Sequence, residues 1–279
     1  MIAEKTRPDY FLLIIVAILV ILGIAIIASV SASVWPENPT FYLVRHLTRG
    51  LLPGLLLGII AFKTPLYLLK KWSVALLLLS LFLTILVFLP GIGLERGGAS
   101  RWINLGILTF QPSELLKLTF VLYLAAWLST RAAKTANKKR DFALKKFGQW
   151  SASTLAAFLA VIGIIVFLLV SQPDVSTLVL IVSCALLMYF AAGTPLKHTF
   201  LVLALGLVGL VFLILRAPYR FERLLIFLNP EIDPMGLGYQ IKQAIITVGS
   251  GGVWGMGLGT GIQRFLPQPL TDSIFAIFA

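Results

Sequence analysis

The chain is a succession of long apolar runs separated by short polar breaks. Runs at 10–31, 43–62, 72–89, 112–128, 150–170, 175–192 and 199–215 each approach the ~20 mostly apolar residues that a helix needs to cross a bilayer. An eighth run starts near Asp272 and stops at Ala279, too short to span. The pattern predicts an all-α polytopic membrane protein with seven complete transmembrane helices and the beginning of an eighth. It also predicts that the chain is truncated at its C-terminus. The first run is too long for a signal-peptide core and lacks a small-residue cleavage site, so it is read as a helix. No internal repeat is evident.

Composition strengthens this picture. With 59% hydrophobic and 12% charged residues, a soluble domain of this size would lack polar surface. The net charge of +12 does not indicate nucleic acid, because the basic residues fall between the apolar runs, where they set topology. Placing the N-terminus in the cytoplasm puts Lys63, Lys70, Lys71 and the basic run from Arg131 to Lys146 on the inner side. The segment 129–149 is then a basic cytoplasmic loop. The outer side receives the longer irregular segments 90–111 and 171–174, and a large loop over 216–271. Any chemistry is therefore expected at the outer face. The lone Cys184 lies within an apolar run, so neither a disulfide framework nor a thiolate metal site is expected. His46 and His198 fall on opposite sides and cannot share a metal.

Three polar constellations stand out. In "QPSELLKL", 111–118, Pro112 suits a first helical position and Glu114 the third, where a carboxylate favours the helix start. Lys117 lies one turn deeper on the same face. An ammonium inside a membrane helix needs a partner or a watery cavity. In "VSQPDVST", 170–177, Asp174 is placed to cap a helix, and a Glu114–Lys117–Asp174 cluster would satisfy all three charges. Arg101, beside Trp102, reads equally as an interfacial anchor or a functional residue. Arg216, Arg220 and Arg223 open the large outer segment. They fit either an interfacial amphipathic helix or a site that stabilises a phosphorylated lipid headgroup. The glycine-rich stretch that follows has no GK[ST], so it is not a nucleotide loop. Within it, Asp233 reads as a turn cap or as a chemical group, and spacing alone does not separate the two.

"GGASRWINLGILTFQPSELLKL", "SQPDVST", "FLNPEIDPMGLGYQIKQAIITVGSGGVWGMGLGTGIQ" and "FLPQPLTDSIFAIFA", in that order, resemble the SEDS proteins of shape, elongation, division and sporulation (FtsW, RodA, SpoVE). The "ASRWIN" and "YRFERLLIFLNP" stretches are most like FtsW, the division member. The resemblance implies a single membrane domain over 1–279, incomplete against a family fold of ten helices. It implies a peptidoglycan glycosyltransferase that polymerises lipid II at the outer face of the bacterial plasma membrane during division. The implied partners are a class B penicillin-binding transpeptidase and other divisome membrane proteins. The family's essential acid in "DP-x-G-x-GY" falls on Asp233, with Gln240 just beyond the motif. "QPSE-x-x-K" covers Gln111 to Lys117 and "QPD" covers Gln172 to Asp174. Two departures matter: "QPDLGT" reads "QPDVST", and "FLPEAHTD" reads "FLPQPLTD", which puts a role for that loop tip in doubt. The missing helices put the activity of this chain in isolation in doubt.

Lipid II carries its own leaving group, undecaprenyl pyrophosphate. One carboxylate can then suffice, as general base toward the acceptor sugar's 4-hydroxyl. Asp233 takes that role, and Glu231 is the neighbouring acid whose loss is expected to matter much less. Arg101, Glu114, Lys117, Asp174, Arg220, Arg223 and Gln240 are assigned to substrate binding. Charge on the departing pyrophosphate is met by Arg220, Arg223, Lys117 or a bound divalent cation such as Mg²⁺, with no protein-held metal site assigned. An α-linked donor and a β-linked product imply inversion. The rival readings are a lipid II flippase or transporter and a non-catalytic scaffold for the transpeptidase.

Overall fold

The computed structural model describes residues 8–34, 36–96, 99–104, 106, 109–140, 152–252, 255–257, 266–267 and 273–278. Arg264, Asp272 and the basic residues Lys145 and Lys146 lie outside them, as does the "PLT" tip of the departing loop. The architecture is mostly helical. Among the described residues, six helical stretches are long and apolar enough to cross a membrane, and Val175–Ala191 is a shorter apolar helix. The protein is a multi-pass membrane protein. It divides into two compact units, one of Met1–Ile59 with Ile214–Ala279 and the other of Ile60–Leu213.

The second unit holds α4 (Leu66–Leu86), a three-stranded sheet, α5 (Pro112–Arg140), α6 (Ala152–Ser171), α7 (Val175–Ala191) and nearly all of α8 (Leu196–Leu215). Its core gathers Leu77, Leu116, Phe120, Leu124, Phe158, Ile165, Leu169, Ile181 and Tyr189. The Phe158 and Tyr189 rings stack 4.3 Å apart. Between membrane helices the solvent offers no hydrophobic drive, so small side chains and interhelical hydrogen bonds bring helices together. The α4–α5 contact shows this: Ser80 Oγ and Thr119 Oγ1 meet at 2.7 Å, both buried. Such a bond contributes about 0.6 kcal/mol.

The sheet was not expected. β1 (Gly93–Arg96), β2 (Ala99–Asn104) and β3 (Thr109–Phe110) form an antiparallel meander within the segment 90–111. The strands are too short, and their glycine-bounded breaks too close, for a period-2 pattern to develop. Helix α5 also runs on to Arg140, through residues assigned to the basic loop. Ala, Lys and Arg favour helix once it has started, and positive charge suits its C-terminal end.

The first unit holds α1 (Tyr10–Val34), α2 (Phe41–His46) and α3 (Leu52–Lys63) as far as Ile59. It also holds α9 (Pro218–Leu228), α10 (Leu237–Gly251) and α11 (Ile274–Phe278). Helices α2 and α3 are one span joined by a π turn over Leu47–Leu51, where Leu52 N–H bonds back to Leu47 O. Pro53 explains it: proline has no N–H to give Arg49 O, and its ring crowds that carbonyl, so the turn widens. Within the expected large loop over 216–271, most of residues 218–251 lie in regular elements. They form α9, a 3₁₀ turn over Pro230–Ile232, and α10.

Candidate active site

In the second unit the polar residues converge on the turn between α6 and α7. Asp174 is the N-cap of α7, with Oδ1 accepting from Thr177 N–H at 3.4 Å. Its Oδ2 accepts from Ser113 Oγ at 3.1 Å and from Gln111 Nε2 at 3.3 Å, both at the start of α5. Gln172 sends Nε2 to Thr84 O at 2.8 Å, on α4. Arg101, on β2, donates Nε to Gln172 O at 3.2 Å and a terminal nitrogen to Pro173 O. Asp174 and Gln172 are 3% and 2% exposed. A buried carboxylate is tolerated only when donors surround it. The motifs "ASRWIN", "QPSE" and "QPD" thus meet physically, and Arg101 and Asp174 are both occupied within the protein.

This corrects the expected three-charge cluster. Lys117 pairs with Glu114 on its own helix at 2.8 Å, while Asp174 is satisfied by neutral donors instead. The i,i+3 spacing allows that local pair. The first turn of α5 carries both arrangements, Ser113 to Asp174 and Glu114 to Lys117. Glu114 is more than half exposed and Lys117 about a quarter.

In the first unit, Asp233 follows the 3₁₀ turn and precedes α10. Its Oδ1 accepts from Gly236 N–H at 2.9 Å and its Oδ2 from Leu237 N–H at 2.7 Å. These are free N–H groups at the helix start, where the dipole favours an anion. The glycines of the motif have a steric reason. A Cβ at Gly236 would lie 2.2 Å from Asp233 Oδ2, and one at Gly238 would lie 2.1 Å from Pro230 O and 2.3 Å from Asp233 O. The acidic turn therefore presses directly on the first turn of α10, and Gly238 is buried beneath it. Asp233 itself is only partly buried. Among the described residues each of its oxygens accepts one bond, so that each has a further lone pair to offer.

Glu231 does not share this cap. It reaches the other way, to Lys242 Nζ on α10 at 2.6 Å. Arg220 lies against Tyr219, with a 3.0 Å bond to its hydroxyl and the guanidinium 5.3 Å from the ring centre. Arg223 is exposed, while Ile226 turns inward from the same helix. Gln240, one turn into α10, is partly buried. Sequence reasoning missed Ser113, Thr84 and Lys242 as partners. A buried Asp174 demanded donors, and Ser113 was the nearest hydroxyl in a quoted motif. The Glu231–Lys242 pair spans a turn, and no fixed spacing signals it.

A model of cell cycle proteins, covering FtsW, RodA and SpoVE, matches residues 10–279. The chain belongs to the FtsW/RodA/SpoVE family. Within it, the chain is 35% identical to the stage V sporulation protein E of Bacillus subtilis, over all of this chain and 74% of that protein. It is 37% identical to a probable peptidoglycan glycosyltransferase FtsW from Saccharophagus degradans, over 98% of this chain and 68% of the relative. A solved peptidoglycan synthase complex, studied for how it coordinates polymerisation and crosslinking, contains a chain that matches with a TM-score of 0.60 and 30% identity. That match covers 93% of this chain and 69% of the other.

Proposed function

We propose that the protein is a peptidoglycan glycosyltransferase that polymerises lipid II into glycan strands, with Asp233 as general base. What supports this most is the Asp233 carboxylate, partly exposed and held by two backbone N–H groups at a helix start. The cap fixes the direction of the carboxylate and leaves lone pairs to take the proton of the acceptor 4-hydroxyl. That oxygen then attacks the donor sugar's anomeric carbon with inversion, and the bond to undecaprenyl pyrophosphate breaks. Arg220 and Arg223 supply positive charge for the leaving diphosphate. Gln240, one turn into the helix that follows Asp233, contacts substrate in this reading. The relatives named as peptidoglycan glycosyltransferases and the likeness to a synthase complex support the reaction class and a penicillin-binding transpeptidase as partner. The reaction runs at the outer face of the plasma membrane at the division site, with the N-terminus in the cytoplasm.

Because Asp233 also holds the N–H groups of Gly236 and Leu237 at the start of α10, an alanine there would lose two functions together. Asparagine keeps an acceptor oxygen for one of these two N–H groups but cannot take a proton. The test is Asp233→Asn in the full-length protein with its transpeptidase, assayed for lipid II polymerisation. Loss of a positioned general base lowers the rate by about 10²–10⁴-fold. Near-parental glycan synthesis by Asp233→Asn would sink the assignment.

A further inference from the structure

The acidic turn ahead of α10 is tied down at three points. Asn229 Oδ1 accepts from Glu231 N–H at 3.2 Å and starts the 3₁₀ turn. Asp233 closes the turn onto the N–H groups of Gly236 and Leu237. The third tie is ionic, from the Glu231 carboxylate to Lys242 Nζ at 2.6 Å. Glu231 and Lys242 flank everything that orients Asp233: the turn, the cap and the two glycines.

The backbone leaves this arrangement narrow. Pro230 O and Asp233 O already sit where a side chain at Gly238 would be, so the turn has no slack toward the helix. It can move only by lifting away. Lifting would draw the Asp233 oxygens off the two N–H groups, and the Glu231–Lys242 pair opposes that motion. Lys242 suits the task because its side chain is 36% exposed, its stem resting on protein, whereas Glu231 is 72% exposed. An ion pair so open to solvent adds little to global stability. Its value is in the position of the one group it brackets, because small misplacements of a reacting group cost rate heavily.

We infer that Glu231 and Lys242 are positioning residues: their ion pair clasps the acidic turn to α10 and holds the Asp233 carboxylate in its capped orientation. The inference rests on Asp233 as the base. It gives Glu231 a task that is real but secondary, since neither member of the pair touches the reacting atoms.

The experiment uses the full-length protein with its transpeptidase and lipid II. Glu231→Gln and Lys242→Gln each lower kcat about three- to tenfold while KM stays within about twofold. The charge-swapped double variant, Glu231→Lys with Lys242→Glu, recovers most of the loss. Amide hydrogen exchange at Gly236 and Leu237, the two donors to Asp233, quickens in each single variant and slows again in the swap. Unchanged kcat in both single variants overturns the clasp. So does a swap as slow as the single variants, or a raised KM in Lys242→Gln alone, which would mark Lys242 as a direct substrate contact. The two readings fail separately. An active Asp233→Asn removes the base, whereas unchanged exchange at Gly236 and Leu237 removes the clasp.

Discussion

Asp174 and Asp233 look alike in the sequence, each beside a proline and each ahead of a helix, yet the structure uses them in opposite ways. Asp174 is the N-cap of α7, and Asp233 holds the N–H groups of Gly236 and Leu237 at the start of α10 from just ahead of it. Asp174 is 3% exposed and takes bonds from Ser113 and Gln111 as well as from its own helix. Asp233 is only partly buried, and the bonds it receives come from backbone N–H groups. A carboxylate filled by side-chain donors from another helix is a fastener. One held from behind by its own helix is aimed and still open to a reactant. Cap geometry does not separate structure from chemistry here; the number and origin of the other donors does.

The contrast can be broken most sharply by substituting each aspartate. Asp233→Asn should lower polymerisation by about 10²–10⁴-fold with only a small drop in the thermal transition, since one backbone acceptor is lost. Asp174→Ala should do the reverse. It strands the donors of Ser113 and Gln111 and uncaps α7, costing about 1–3 kcal/mol of stability. Thermal unfolding in detergent would read this as a lower midpoint, and full activity with an unchanged midpoint would remove Asp174 from the fastener role. Next in size is Gly238→Ala, whose new Cβ must displace Pro230 O and Asp233 O. It should cut activity about 10²-fold with little change in the rest of the fold. Circular dichroism beside the polymerisation assay tests both halves. The smallest effect is Ser113→Ala, which removes one donor to Asp174 and should cost about 1 kcal/mol. Combined with Asp174→Ala it should add less than it costs alone, since the bond to Asp174 is already gone and only that from Gln111 Nε2 is left to lose.

Much of the fold was legible because a membrane makes sequence simple. Length and apolarity alone locate Tyr10–Val34, Phe41–Lys63 and Ser153–Ser171 to within a few residues of the apolar runs. Outside the bilayer the same reading weakened. α10 was taken for a glycine-rich loop because Gly236, Gly238, Gly249 and Gly251 crowd its ends, although "YQIKQAIITV" between them makes a helix. The sheet was hidden by its brevity. At the site, the pairing of Glu114 with Lys117 followed from spacing, and so did the capping position of Asp174. The wrong expectation was that a buried charge must find an opposite charge. The neutral amide of Gln111 and the hydroxyl of Ser113 suffice when they come preplaced on a rigid helix start.

The widened turn at Leu47–Leu51 carries a consequence for the whole second span. Each residue of a regular helix advances the side chains by about 100°. A π turn takes more residues to complete the same circle, so it slips the phase between what lies before it and what lies after. Phe41–His46 and Leu52–Lys63 therefore belong to two different helical wheels. A single wheel drawn through 41–63 misassigns which side chains share a side, and substitutions chosen from it would land on the wrong flank of one half.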